Sequence, residues 1–191
     1  MSEMKLYSGA GERLYLTSQE RDRFEEQSRL QPRETMTFAL TILYTGCRIT
    51  EALNLEARHI DLTNQAITIM SLKKRTSGHF RSIPIPERLV ESLNLVHGLR
   101  EIKNKKQKLW GFTRMTGWRK VKEIMTAADI SGPHASPKGL RHGFGVYAVA
   151  ECEIPLNMVQ KWMGHKELKT TAIYANAVGK EERGIANRMW G

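Results

Sequence analysis

The sequence predicts a mainly α-helical domain with a small antiparallel β-sheet inserted early, an α+β fold. Three observations carry this. Most of the chain divides into apolar runs of helical length, opened by capping residues or proline and several closed by glycine. One stretch, residues 59–85, is read instead as short strands separated by turn residues. The composition, 40% hydrophobic and 26% charged over 191 residues, is that of one ordinary globular domain.

Residues 1–15 read as an irregular N-terminal arm and residues 16–191 as the domain, its last helix included. Thr17-Ser18-Gln19-Glu20 is a capping-box start, with Thr17 as N-cap and Glu20 reaching back, and a helix follows to about Leu30. Pro32 stands near the next helix start, and Phe38, Leu40, Ile42 and Leu43 form its apolar run up to Gly46. A short helix spans 49–53. In the β stretch, 59–62 is a short strand, Asn64-Gln65 a turn, and 66–72 a strand with Ile67 and Ile69 on one face. Thr76-Ser77-Gly78 turns the chain into a returning strand, 80–85, ended by Pro84 and Pro86. Helices then cover 86–99, 116–128, 138–150, 155–163 and 168–174, with weaker helical character at 181–190.

This composition excludes a disordered chain, a collagen-like chain and a membrane bundle; the longest apolar stretches, around 38–44 and 146–150, are too short to span a bilayer. A chain of this length buries about 70% of its unfolded surface and needs no staple. Cys47 and Cys152 form no C-x-x-C, and residues 1–11 hold no signal-peptide core, so the reading is a soluble, cytoplasmic protein. The charge is less ordinary: 30 Lys+Arg against 20 Asp+Glu leaves +10. Such an excess points to a polyanion, above all nucleic acid, against the plainer reading of a surface with surplus lysines. The run Arg100 to Lys108, with Lys103, Lys105 and Lys106, reads equally as a solvated connector or a phosphate-contacting loop. Arg119 and Lys122, three apart beside Trp118, share a helix face that suits solvent or a DNA groove.

Four segments carry candidate chemistry. In Thr45-Gly46-Cys47-Arg48-Ile49-Thr50-Glu51, a glycine permits a sharp turn, Arg48 sits at the positive end of a helix dipole, and Glu51 lies one turn on to orient it. In Pro137-Lys138-Gly139-Leu140-Arg141-His142, Lys138 and Arg141 face the same way and can clamp one phosphate. Trp162-Met163-Gly164-His165 ends a helix and presents a histidine. Thr170-Thr171-Ala172-Ile173-Tyr174 offers a tyrosine nine residues after His165. Singly, each segment also reads as ordinary surface or packing.

Their order changes that. The series resembles the tyrosine recombinase (phage integrase) family, whose motifs read T-G-x-R-x-x-E, H-x-L-R-H, L-G-H and T-x-x-x-Y; the match runs from about Leu16 to Tyr174. The size resembles single-domain DNA invertases that switch fimbrial genes, a catalytic fragment being the other reading. The resemblance implies that Arg48 and Arg141 hold the scissile phosphate, that His165 donates to a non-bridging oxygen, and that Tyr174 is the nucleophile. It places a catalytic lysine on the β-hairpin, where the strand count favours Lys73 and a bulge would favour Lys74. Glu51 and His142 are supporting residues. Lys138 departs from the family's usual histidine: it keeps a cation but serves less readily as a base, with an ordinary pKa of about 10.4 against 6.5. His134 is nearby and out of register.

The implied activity is site-specific cleavage and rejoining of DNA through a 3′-phosphotyrosyl link, with no cofactor and no metal. The implied partners are double-stranded DNA, further copies of the chain (a dimer per site, a tetramer in the synapse) and accessory DNA-bending proteins, with no membrane. A type IB topoisomerase-like enzyme and a catalytically impaired DNA-binding regulator are the rival readings.

Overall fold

The computed structural model describes residues 5–70, 80–176 and 180–190. Helix α1, Ser18–Arg29, opens with the predicted capping box: the Glu20 amide donates to Thr17 Oγ1 at 3.3 Å and the Thr17 amide to Glu20 Oε2 at 2.8 Å. Helix α2, Arg33–Thr45, is buried over most of its length and packs against α1. Its inward hydroxyls are satisfied within the helix, Thr41 on the Thr37 carbonyl at 2.8 Å and Thr45 on the Thr41 carbonyl at 2.6 Å. Gly46, at φ 58°, ends α2 in the left-handed region and turns the chain into the short helix α3, Ile49–Ala52.

Strands β1 (Ile60–Asp61), β2 (Ala66–Met70) and β3 (Phe80–Pro84) form an antiparallel sheet in the order β1-β2-β3. The register pairs Ile67 with Ile83 and Ile69 with Arg81. Ile67, Ile69 and Ile83 are buried, the face that the alternation predicts. The hairpin turn, with Thr76 to Gly78, lies outside the described residues.

Helix α4 spans Glu87–His97, and α5 spans Arg114–Ala127. Helix α5 starts two residues before its predicted start because Thr113 caps it, accepting the Thr116 amide at 3.1 Å. Ser136 caps α6, Pro137–Val146. The helix predicted to run through to 150 does so with a change of winding, since Tyr147–Glu151 is a π-helical turn. Helices α7 (Leu156–Met163) and α8 (Leu168–Ala172) follow. The predicted end of α8 at 174 is a 3₁₀ turn instead, Ile173–Asn176, and α9 covers Lys180–Asn187. No helix of the described residues is long and apolar enough to cross a membrane.

Two apolar clusters lie inside. The larger joins α1 to α5 and the sheet around Phe24, Phe38, Ile69 and Trp110. The smaller gathers Leu6, Tyr15, Phe144, Val159, Met163 and Tyr174. The segment read as an irregular arm is therefore packed: Leu6 and Tyr15 are buried, and Tyr7 and Arg13 form a β-bridge. Arg13 also reaches Glu20 and His134.

Gly46→Ala should destabilise the fold by about 1–3 kcal/mol, because a Cβ there overlaps the Phe144 ring and φ is positive. Thermal denaturation measures this, with Gly9→Ala, which meets nothing within 4 Å, as control.

Candidate active site

The site forms where the ends of α2, α3, α6 and α7 converge. Arg48 stands at the N-terminus of α3. Its amide donates to Glu51 Oε2 and its Nη1 to Glu51 Oε1, both at 2.9 Å. Its side chain keeps 30% of its surface exposed, while that of Glu51 has none. Burial pushes the Glu51 carboxyl up, but the guanidinium of Arg81 and then Arg48 outweigh it and hold it below the usual carboxylate range.

Arg141, on α6, is buried and ties three pieces together. Its Nη1 donates to the Gly46 carbonyl at 2.5 Å; its Nη2 donates to the Met163 carbonyl at 2.7 Å and lies 3.0 Å from His165 Nε2. Burial first, then the nearby Arg48, lowers its pKa to about 10, so it stays cationic at neutral pH.

An arginine only donates, so His165 Nε2 accepts and the ring proton sits on Nδ1, 2.9 Å from Thr171 Oγ1. Burial, followed by Arg141 and Arg48, pushes the imidazole down to about 3, which leaves it neutral.

Tyr174 lies in the 3₁₀ turn after α8 and is 0% exposed. Its ring stacks on His165, centroids 6.1 Å apart, and fills the space left by the missing side chain of Gly145. Its hydroxyl is 3.2 Å from His142 Nδ1. Burial pushes the phenol pKa up, with Arg141 and Arg48 pulling the other way. His142 is driven down to about 4 by burial, then by Lys138 and Arg141, and its Nε2 has no hydrogen-bond partner among the described residues.

The geometry brings together Arg48, Glu51, Arg141, His142, His165 and Tyr174. Lys138 is exposed on the first turn of α6. Lys73 and Lys74 lie outside the described residues. His134 is held by Glu20 at 3.1 Å, consistent with its being out of register. The basic residues proposed for DNA differ among themselves. Lys103, Lys106 and Arg119 are exposed, Arg119 lying 3.7 Å from Glu123. Lys105 and Lys122 donate to the Leu99 and Ala135 carbonyls at 2.8 and 2.7 Å, so both also hold loops together.

Sequence reasoning missed Arg81. Its signal was present: it shares the inward face of β3 with Ile83, and an arginine at a core-facing register demands a buried acid.

The Phage integrase family model matches residues 15–181, and the chain belongs to that family. Among relatives, tyrosine recombinase XerD of Neisseria meningitidis serogroup B is 31% identical over 153 residues, covering 76% of this chain and 52% of that protein. Tyrosine recombinase XerA of Pyrococcus furiosus is 28% identical over 155 residues, covering 77% and 52%. The chain thus spans about half the length of the curated relatives it matches. The fold is similar to the crystal structure of XerA recombinase, with a TM-score of 0.79 at 23% identity over 93% of this chain and 65% of that one. It is also similar to the catalytic domain of bacteriophage HP1 integrase, with a TM-score of 0.65 at 19% identity over 92% and 95%.

The two depressed histidines make a stability prediction. Each has a folded pKa below its ordinary 6.5, so protonation favours the unfolded chain. Their stabilisation should be complete above about pH 6.5 and be lost as pH falls toward 4, by at most about 1.4 kcal/mol per pH unit for each group. His59 and His97, also lowered, act in the same window. Glu20, held at about 2, and Glu51 lose their contribution only below their ordinary 4.5. Chemical denaturation between pH 4.5 and 7 should show this slope, and His142→Gln should reduce it.

Proposed function

We propose that the chain is the catalytic part of a site-specific DNA recombinase that breaks and rejoins double-stranded DNA through a 3′-phosphotyrosyl intermediate. The observation that carries this is the convergence of Arg48, Arg141 and His165 on Tyr174 from separate elements, in a chain of this family. A solved relative, the XerH site-specific recombinase, is described as bound to its difH substrate before cleavage.

The chemistry follows from phosphate electrostatics. In-line attack by the Tyr174 oxygen on a phosphodiester, with the phenol proton released to solvent, forms the tyrosyl–phosphorus bond, breaks the bond to the 5′ oxygen, and places extra charge on the non-bridging oxygens in the transition state. Arg48 and Lys138 give that charge an exposed cationic rim. Arg141, with Nη1 and Nε hydrogens left over from its carbonyl bonds, lies beneath. The phosphate opposes the cations that keep His165 neutral, so its arrival favours a proton on Nε2 and lets His165 donate. A hairpin lysine, Lys73 or Lys74, protonates the leaving 5′ oxygen. The bond energy stays in the covalent link, so no ATP is needed. Tyr174 is 0% exposed, so α8 and its 3₁₀ turn must shift before the hydroxyl meets DNA. The working assembly is two copies per site and four in a synapse, assisted by DNA-bending proteins at the nucleoid.

Tyr174→Phe should abolish the covalent protein–DNA adduct on denaturing gels and leave DNA binding nearly intact; a surviving adduct would move the nucleophile to Tyr147 or Tyr44. Affinity should fall log-linearly with salt, given the +10 charge. Strand exchange between two DNA molecules separates recombination from topoisomerase-like relaxation.

Lys138 acts as a phosphate-binding cation. Lys138→Arg should keep much of the cleavage rate, and Lys138→Ala should lose about 10²–10³-fold, the scale of one transition-state donor. Near-complete loss in Lys138→Arg with binding unchanged would show that the lysine has to release a proton.

A further inference from the structure

Arg81 stands where three parts of the site meet. It sits on β3 opposite Ile69, its side chain only 5% exposed. Its Nη2 donates to Glu51 Oε2 at 2.7 Å, and its Nη1 is 3.4 Å from Glu51 Oε1. Its Nε donates to the Trp162 carbonyl at 2.7 Å. Trp162 is the second-last residue of α7; the next carbonyl, of Met163, receives Arg141. Gly164, at φ 65°, then leads into His165, and a Cβ on Gly164 would lie 2.9 Å from Arg81 Nη1 and 3.0 Å from its Cζ. One guanidinium thus fixes the carboxylate beneath Arg48 and the loop that presents His165.

We infer that Arg81 is a positioning residue that leaves Arg48 charged and outward for phosphate while holding His165 in register with it. This rests on the recombinase reading above. The charge count explains why the role is more than packing. Arg48, Glu51 and Arg81 together carry one net positive charge. Without Arg81, the carboxylate that Arg48 Nη1 already reaches at 2.9 Å pairs with Arg48 alone, the pair is neutral, and its whole pull falls on the Arg48 guanidinium. A purely structural buried pair can be replaced by apolar residues of similar volume with little loss. Here the exposed member of the network loses its free charge when the buried cation is removed.

The test is single-turnover cleavage of a suicide substrate, with DNA affinity measured in parallel. Arg81→Met, which keeps volume and removes charge, should slow cleavage by about 10²-fold, the scale of losing one transition-state donor, with affinity within about threefold. Arg81→Lys, which restores the charge without the second arm to Trp162, should recover about tenfold of that. In an Arg48→Ala background, Arg81→Met should cost clearly less than it does alone, because only its hold on the His165 loop is left to lose. Additive losses, or affinity falling in step with cleavage, would overturn the inference. Should Arg81→Met fail to fold, Arg81→Lys completes the same cycle.

A measurement without DNA separates this from the recombinase reading. In the wild type, ¹⁵N NMR of His165 should show the proton on Nδ1; in Arg81→Lys the loosened loop should shift the ring toward a tautomer mixture. An unchanged His165 spectrum would sink the positioning role, even if no substrate were ever cleaved. Absence of any adduct in the wild type would sink the recombinase reading alone.

Discussion

The Arg141 guanidinium is the constraint on which the rest of the site depends. Its planar fork joins the carbonyl that ends α2 to the carbonyl that ends α7, and the same nitrogen fixes a histidine ring. Helix C-termini leave carbonyls without partners and carry negative partial charge, so a buried cation between two of them is stabilised without a carboxylate. The two glycine-terminated helices hold the arginine between their negative ends, which sets its charge at the base of the site. A lysine could not replace it, because a single ammonium cannot meet both carbonyls and the imidazole in one plane.

Around that fork the electrostatics describe a resting site. His142 and His165 are neutral because burial and their cationic neighbours both disfavour another positive charge. Tyr174 is protonated because burial disfavours the phenolate more than the arginines favour it. An anion placed among these cations would oppose the charges that act on all three groups. In the proposed reaction the DNA phosphate is at once the substrate and the charge that readies the groups around it.

Much of this was legible in the sequence. The Thr17 capping box, the glycine that ends α2 and the inward isoleucines of β2 are local rules, and nothing in the tertiary structure overrides them. The order of the motifs placed Arg48, Arg141, His165 and Tyr174 together, and they do meet. Other features depend on contacts distant in sequence and left a weaker trace. Arg81 joins β3 to Glu51, 30 residues away, and to Trp162, 81 residues away. The arm looked irregular because its own residues form few elements, yet Leu6 and Tyr15 fill a cavity walled by Phe144 and Tyr174. The change to π winding after Val146 has no composition of its own. Lys122 reads as a surface charge until the loop after α5 brings the Ala135 carbonyl beside it.

Tyr174 belongs to the smaller apolar cluster, with the arm and the last turns of α6 and α7, while Cys47, which precedes Arg48, and the sheet belong to the larger. Trp162 packs against both clusters, and α6 runs through both, but their free energies of opening need not be equal. In the proposed reaction, bringing the tyrosine out would first loosen the smaller cluster, where its ring is packed. The frequency of that opening would then be set by how well a few residues such as Leu6, Tyr15 and Phe144 pack around the ring.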